Sequence, residues 1–491
     1  MKSVTAVSLL VLSLLMSCVA TAGAEESGSA RLADDPRVVD AIAAWEEWVE
    51  YQAAISGVPG MSVGVVHDQE LLATDAFGLA NPETGVPARP DTLYSICSIS
   101  KLFTSVAVLQ QRESGKVRLD DPVAKYLPWV EIQDVHPDDE PITVRGLLTH
   151  SAGLPRESDY PYWTAEGYPF PSHDEIAARL REQQTLYPAS RYFQYSNLGL
   201  TLAGEIVASV SGQPFGDYVH ANILEPLGMH DTFTEVPENL RGDRLAIGYS
   251  ARKRDGSRDV IAPFQTRGIA PAAGFASNVP DLARFAAWQF RLLSEGGNEV
   301  LRASTLREMQ RVQWVDPDWK TTWGLGFEIL RDKDHTFVGH GGGCPGYYTH
   351  IRMEPKTKIA VVVLTNAVGS EVELYTAKAF DLIRPAIEKA LKEPGKVPER
   401  DPALDRYAGV YDSIWGQSAI VRWEDGLAAV SLGERDLKEA LVRLKKTGEH
   451  VFRRVREDEE DQLGEEFVFD LAQDGTVTRY KQHSNWYRKV R

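Results

Sequence analysis

Three short motifs fall in one order along the chain: Ser98-Ile99-Ser100-Lys101, then Tyr195-Ser196-Asn197, then His340-Gly341-Gly342. Each alone is commonplace. Roughly two chance matches to Ser-x-x-Lys are expected in 491 residues of ordinary composition. In such matches the serine is a helix N-cap and the lysine a solvated first-turn residue. A lone Gly-rich stretch at 341–343 would be a tight turn between strands. The combination is what constrains the fold, because a Ser/Lys hydrolase needs all three parts in one place. Residues at i and i+3 share a helix face, so the Ser98 hydroxyl and the Lys101 amine can meet. A serine hydroxyl needs a neighbouring base at neutral pH. Lysine serves as that base when burial and nearby cations lower its pKa.

The local context supports the combination. After Ser98, Phe103, Val106 and Leu109 recur at helical spacing and Gly115 marks the stop, which predicts a helix with Ser98 at its N-terminus. The helix dipole and free N–H groups there favour developing negative charge. Around His340 the sequence reads as strand, and Tyr347–Arg352 and Ile359–Thr365 read as strands on either side of the turn-like Pro355–Lys358. A glycine-rich edge lets a substrate carbonyl approach the backbone closely, as an oxyanion hole requires.

From these residues the chain resembles the penicillin-recognising serine hydrolases, in the branch of class C β-lactamases, D,D-peptidases and esterases. The resemblance runs from about Gly57 to Asn366 and includes Pro59–Val66 with a hairpin return through Leu71–Gly78. It also takes in Leu119–Pro128, Leu147-Leu-Thr-His-Ser-Ala-Gly-Leu-Pro155 and Gly274–Leu282. It implies an α+β fold: an antiparallel sheet flanked by helices, with a helical subdomain. It assigns Ser98 as the acyl-enzyme nucleophile and gives proton transfer to Lys101 and Tyr195, either of which would be the base. Asn197 would bond the substrate's acylamide or Lys101. The backbone N–H groups of Ser98 and Gly343 would form the oxyanion hole, with His340 and Gly342 beside the substrate. The third motif departs from most β-lactamases, which begin it with a lysine that binds the drug's carboxylate. Histidine here is mostly neutral at pH 7. Relatives with histidine there are often peptidases acting on D-amino acids or peptides, or carboxylesterases, so the resemblance implies esters or D-amino-acid-containing peptides over β-lactams.

The resemblance also bears on two of the three cysteines, Cys18, Cys97 and Cys344. Some class A relatives carry a disulfide at the positions of Cys97 and Cys344, which implies one here; the alternative is two buried thiols packing as small hydrophobes. Lys2, the apolar stretch Val4–Met16 and Ala22-Gly23-Ala24 read as a signal peptide over residues 1–24. Leu15–Cys18 loosely matches a lipobox, so a lipid anchor at Cys18 is the rival to plain export to a periplasmic or extracellular space.

Residues 25–391 then form the hydrolase domain and 392–402 a linker rich in proline and charge. Residues 403–491 form a small all-β module with short strands at 407–411, 419–423, 427–432 and 467–470, and with Glu424-Asp-Gly and Gln473-Asp-Gly as turns. This module resembles the lipocalin-like barrel that follows the catalytic domain in some relatives. It is read either as a ligand or partner site or as a stabilising appendage. Tyr160, Tyr162, Trp163 and Tyr168 are either a pocket wall or a packed patch. A net charge of −17 argues against nucleic-acid binding. The acidic run 456–461 reads as a solvated hairpin tip, and no histidine spacing suggests a metal, so no metal or cofactor is expected. The sequence thus predicts a secreted serine hydrolase taking a small-molecule or peptide substrate. A β-lactamase proper and a non-catalytic penicillin-binding-like receptor are the alternatives, the latter disfavoured because binding alone does not need Lys101.

Overall fold

A computed structural model describes residues 31–158, 161–456 and 462–491. The segment expected to be a signal peptide, Cys18, Tyr160 and residues 457–461 lie outside the described residues.

The first body is built on a nine-stranded sheet. Its central strands are β1 (Gly60–His67), β2 (Glu70–Asn81), β3 (Glu328–Asp332), β4 (His335–Cys344), β5 (Tyr347–Glu354) and β6 (Ile359–Thr365), in the order β2-β1-β6-β5-β4-β3. All of these neighbours are antiparallel. Strand β6 is apolar throughout and every residue is buried, because both of its faces are covered. Val63 and Val65 of β1 stand opposite Val363 and Val361 of β6. These four belong to one apolar cluster; Val362 and Leu364, pointing the other way, belong to another.

Six helices position the rest: α1 (Pro36–Ile55), α2 (Ser100–Glu113), α3 (Val144–Thr149), α4 (Asn197–Ser211), α5 (Val279–Glu295) and α6 (Val372–Lys392). Helices α1 and α6 cover the Val63/Val361 face. Helix α5, capped by the Asn278 side chain on Asp281 N–H, covers the opposite one, where it joins α2 and α4 in the larger core. The helix expected after Ser98 is α2, but Ser98 itself sits one turn earlier, in the 3₁₀ turn Cys97–Ile99.

The C-terminal module is a closed antiparallel barrel of eight strands in sequence order. They are β7 (Gly409–Ser413), β8 (Gly416–Trp423), β9 (Gly426–Ser431), β10 (Leu441–Gly448), β11 (Val451–Val455), β12 (Leu463–Leu471), β13 (Val477–Gln482) and β14 (Asn485–Lys489). Four of these eight are not among the strands read from sequence: β10, β11, β13 and β14 each carry two or three charged residues in a short run, which hides their alternation. Closure removes the sheet edges. An eight-stranded interior is just wide enough for side chains, and Tyr411, Phe452, Phe467, Phe469 and Tyr480 fill it with Ile420 and Leu427. Strand alternation then turns Ala419, Val421, Ala428 and Val430 outward, into the same apolar cluster as α1 and α6. Among the side-chain bonds across the seam are Trp48 Nε1–H to the Glu434 carbonyl and Gln52 Nε2–H to that of Leu432, both 2.7 Å. The barrel is therefore packed inside and docked outside on the helices that back the sheet.

Candidate active site

Ser98 is presented on a turn whose backbone is constrained from three directions. Cys97 has φ +48°, a left-handed conformation that costs a non-glycine residue about 1–3 kcal/mol. Its carbonyl accepts from Ser100 Oγ–H at 2.5 Å, and its Sγ is bonded to Cys344 of β4, with Cα atoms 5.7 Å apart. The preceding residue, Ile96, donates its N–H to the Phe275 carbonyl at 2.8 Å. Gly342 is required by the same junction. A Cβ there would fall 2.3 Å from the Ile96 carbonyl oxygen, so only glycine lets β4 lie against the turn that carries Ser98. The stretch 341–343 is strand, not turn; the reversal comes after it, at Pro345 and Gly346.

Lys101 is completely buried. Its Nζ lies 3.0 Å from Ser98 Oγ, 2.8 Å from Asn197 Oδ1 and 2.7 Å from the Ala272 carbonyl oxygen. Burial pushes its pKa well below the usual lysine range; Glu157 opposes that shift and Arg156 adds to it. Two of the three neighbours can only accept, whereas Ser98 Oγ can also donate. A neutral amine has two N–H donors and one lone pair, which match that set with the lone pair on Ser98.

Tyr195 and Asn197 reach Lys101 from the start of α4. The Ser196 side chain caps this helix, accepting from Gly199 N–H at 2.9 Å while donating to the Pro155 carbonyl at 2.6 Å. Asn197 contacts the lysine directly, and the Tyr195 ring centre lies 5.0 Å from Nζ. Burial raises the Tyr195 pKa far above the ordinary phenol value, against a smaller opposing effect of the Ser98 side chain, so the phenol keeps its proton. On its other side the ring stacks on His150 at 4.3 Å and lies 5.0 Å from the Arg156 guanidinium. His150 Nδ1 accepts the Ser196 N–H at 3.0 Å, and burial holds the imidazole neutral.

His340 is neutral by construction. Its Nδ1 is 2.6 Å from the Gly341 carbonyl, which can only accept, so Nδ1 carries the proton. Burial lowers its pKa to about 3, and Lys101 adds to the effect. Nε2 is left as a buried lone pair with no partner among the described residues. The position therefore offers an acceptor where most β-lactamases place a cation.

These residues open on a cleft of about 840 Å³ lined by Ser98, Tyr195, Asn197, Trp323, His340 and Gly341–Gly343. Strand β3 pairs with β4 only as far as Gly339, so the edge beyond it faces this cleft. Arg156, Glu328 and Glu373 are its charged wall. The aromatic cluster divides: Trp163 and Tyr168 line the cleft, while Tyr162 is wholly buried against Phe170 and Trp163. Among the described residues no His, Cys, Asp and Glu group is arranged to hold a metal. Sequence reading missed Arg156, Glu157 and His150 as contributors. Their one signal is position, since His150 sits within the Leu147–Pro155 segment and the charged pair follows it immediately.

Comparison with known proteins bears on the fold and the family. The chain is similar to Beta-lactamase-like protein 2 of Dictyostelium discoideum, at 26% identity over 429 residues, 82% of this chain and 77% of that one. Its fold matches the octameric penicillin-binding protein homologue from Pyrococcus abyssi with a TM-score of 0.62 at 24% identity, covering 91% of this chain and 100% of the other. It also matches the D-amino acid amidase from Ochrobactrum anthropi SV3, with a TM-score of 0.59 at 25% identity over 72% of this chain and 100% of that enzyme. The family model described as Beta-lactamase matches residues 45–383, and the chain belongs to that family.

Proposed function

We propose that this protein is an exported serine hydrolase that acts through a Ser98 acyl-enzyme on esters or on amides of D-amino acids and peptides. One observation carries the reading: a fully buried lysine amine 3.0 Å from the Ser98 hydroxyl, with acceptor oxygens on its other two sides.

The roles follow from the protonation each group prefers. Lys101, neutral through burial, takes the Ser98 proton as Oγ attacks the substrate carbonyl carbon. The oxyanion is received by the N–H groups of Ser98 and Gly343, and one such donor is worth on the order of 10²–10³ in turnover. Tyr195, held as a phenol, passes its proton to the departing amine or alcohol and is reprotonated by Lys101. Water then attacks the acyl-enzyme by the reverse relay.

The cleft also bears on which acyl donors are preferred. The His340 acceptor and the Glu328 and Glu373 carboxylates suit substrate N–H groups. Arg156, the cation of the lining, already has Glu157 3.4 Å away. A carboxylate-bearing β-lactam finds less here than a D-amino-acid amide does, and the amidase relative is consistent with that ranking.

The test is a comparison of initial rates on a short-chain nitrophenyl ester, a D-alanyl anilide and a chromogenic cephalosporin, for wild type and Ser98→Ala. The expected result is Ser98-dependent turnover of the first two, with the cephalosporin slower by orders of magnitude. Cephalosporin turnover matching the ester would make the protein a β-lactamase proper. No turnover by either form would leave a non-catalytic receptor.

A further inference from the structure

Behind Asn197 stands a carboxylate that the acyl-transfer relay does not consume. Glu157 Oε1 accepts the Asn197 Nδ2–H at 2.7 Å. Its Oε2 accepts from the hydroxyl of Tyr162, a fully buried residue. Arg156 Nε lies 3.4 Å from Oε1, and Gln183 Nε2–H donates to the Glu157 carbonyl at 2.9 Å. The glutamate side chain is 17% exposed. A continuous path of short contacts thus runs Tyr162–Glu157–Asn197–Lys101–Ser98, from outside the cleft to the nucleophile.

An asparagine amide can sit in either of two orientations related by a half-turn, exchanging oxygen and nitrogen. A carboxylate can only accept, so it selects the orientation with NH2 toward Glu157 and the carbonyl toward Lys101. The reversed amide would aim its oxygen at a carboxylate and its hydrogens at an amine. We propose that Glu157 is a positioning residue of the catalytic centre, fixing the Asn197 amide so that its oxygen orients the Lys101 amine toward Ser98. This role rests on the acyl-enzyme reading above. It also assigns Asn197 to the lysine rather than to the substrate acylamide.

The glutamate has a second consequence through its charge. Lys101 is faced by Glu157 and Arg156 from the loop after α3, by His150 in the same segment, by Tyr195 and Asn197 at the start of α4, and by His340 of β4. Burial holds both histidines neutral, and Tyr195 keeps its proton. Glu157 and Arg156 are therefore the charges that act on the amine, in opposite directions. Removing the carboxylate makes the protonated lysine less favourable.

The experiment compares Glu157→Gln, Tyr162→Phe and Ser98→Ala in the full chain, reading kcat, KM, the pH profile of kcat/KM and thermal melting. Glutamine keeps the size of the side chain but can present either hydrogens or oxygen to Asn197, and it has no charge. For E157Q, kcat is expected to fall about 10–100-fold, the scale seen when the partner that orients a reactive group is lost. KM should stay within about threefold, since the contact is not with substrate. The acid limb should move to lower pH. Tyr162→Phe keeps the carboxylate, so kcat should fall less and the acid limb should stay in place. Wild-type kcat in E157Q would overturn the proposal. So would a fall in kcat accompanied by lower melting and an unmoved limb, the pattern of a merely structural residue. Full activity in S98A would overturn the acyl-enzyme reading itself, and this role with it.

Discussion

The three consecutive glycines of β4, Gly341–Gly343, look interchangeable in sequence, yet the structure gives them different tasks, and a pair of alanine substitutions separates two of them. At position 342 an added Cβ would lie 2.2 Å from Thr349 Oγ1 and 2.3 Å from the Ile96 carbonyl oxygen. The threonine can rotate away, but the carbonyl belongs to the turn that holds Ser98. Relieving the contact to 3.0 Å, below which Cβ atoms are essentially never found, requires β4 and the turn to separate by about 0.7 Å. The Cys97–Cys344 bond, one residue from Ile96 and two from Gly342, resists that opening, so the strain is retained. Overpacking of this kind costs about 1–3 kcal/mol. A displacement near 1 Å between nucleophile and oxyanion donors costs about 100-fold in rate. At position 341 the nearest atom to a Cβ is His350 Cδ2 at 3.4 Å, an ordinary contact. Ester hydrolysis and thermal melting should therefore show Gly342→Ala about 100-fold slower and less stable. Gly341→Ala should stay within about threefold of wild type, the range of a neutral substitution. Equal losses in both variants, or none in G342A, would refute the reasoning.

Four further predictions come from the same groups. Because Lys101 must be neutral to act, kcat/KM should fall as pH drops through its depressed pKa, and Lys101→Ala should abolish that limb together with activity. Buried His340 stays unprotonated until about pH 3, whereas an unfolded histidine takes its proton near 6.5. The unfolded state thus binds more protons between those values and stability should decrease across that window, seen as a lower urea midpoint at pH 4.5 than at pH 7. Reduction, or Cys344→Ser, releases a link spanning 247 residues and should cost about 2–4 kcal/mol in denaturant titrations run with and without reductant. His340→Lys replaces the cleft's lone-pair acceptor with a cation and should raise the cephalosporin-to-ester rate ratio by about tenfold, the scale of one charged hydrogen bond.

The parts of this molecule that could be read in advance are those written in contiguous residues. Ser98 and Lys101 share one turn, Tyr195 and Asn197 flank one cap, and His340–Gly343 lie on one strand. The motif order was enough to identify the family and its α+β scaffold. What could not be read is whatever depends on which loop passes where. Glu157 matters because the chain after α3 runs behind Asn197, and Ala272 because its carbonyl points at Lys101; neither has a local pattern. The preference of Asn197 for Lys101 and the protonated state of Tyr195 are likewise properties of burial, not of spacing. In the barrel, β8 and β9 were legible because they are apolar on both faces. β10, β11, β13 and β14 were not, because two or three charged residues interrupt the apolar positions of each. The aromatic cluster after Leu154 served two purposes at once, with Tyr162 in the core and Trp163 and Tyr168 on the cleft, a division that aromatic composition cannot express.

The central claim is a covalent bond to one hydroxyl, and it is tested most directly by intact-protein mass spectrometry after brief exposure to a slowly deacylating ester or penicillin. The account predicts a mass increase equal to one acyl group, mapped by peptide digestion to Ser98 and absent from Ser98→Ala. Adduct formation on another residue, or turnover in S98A at the wild-type rate, would contradict it.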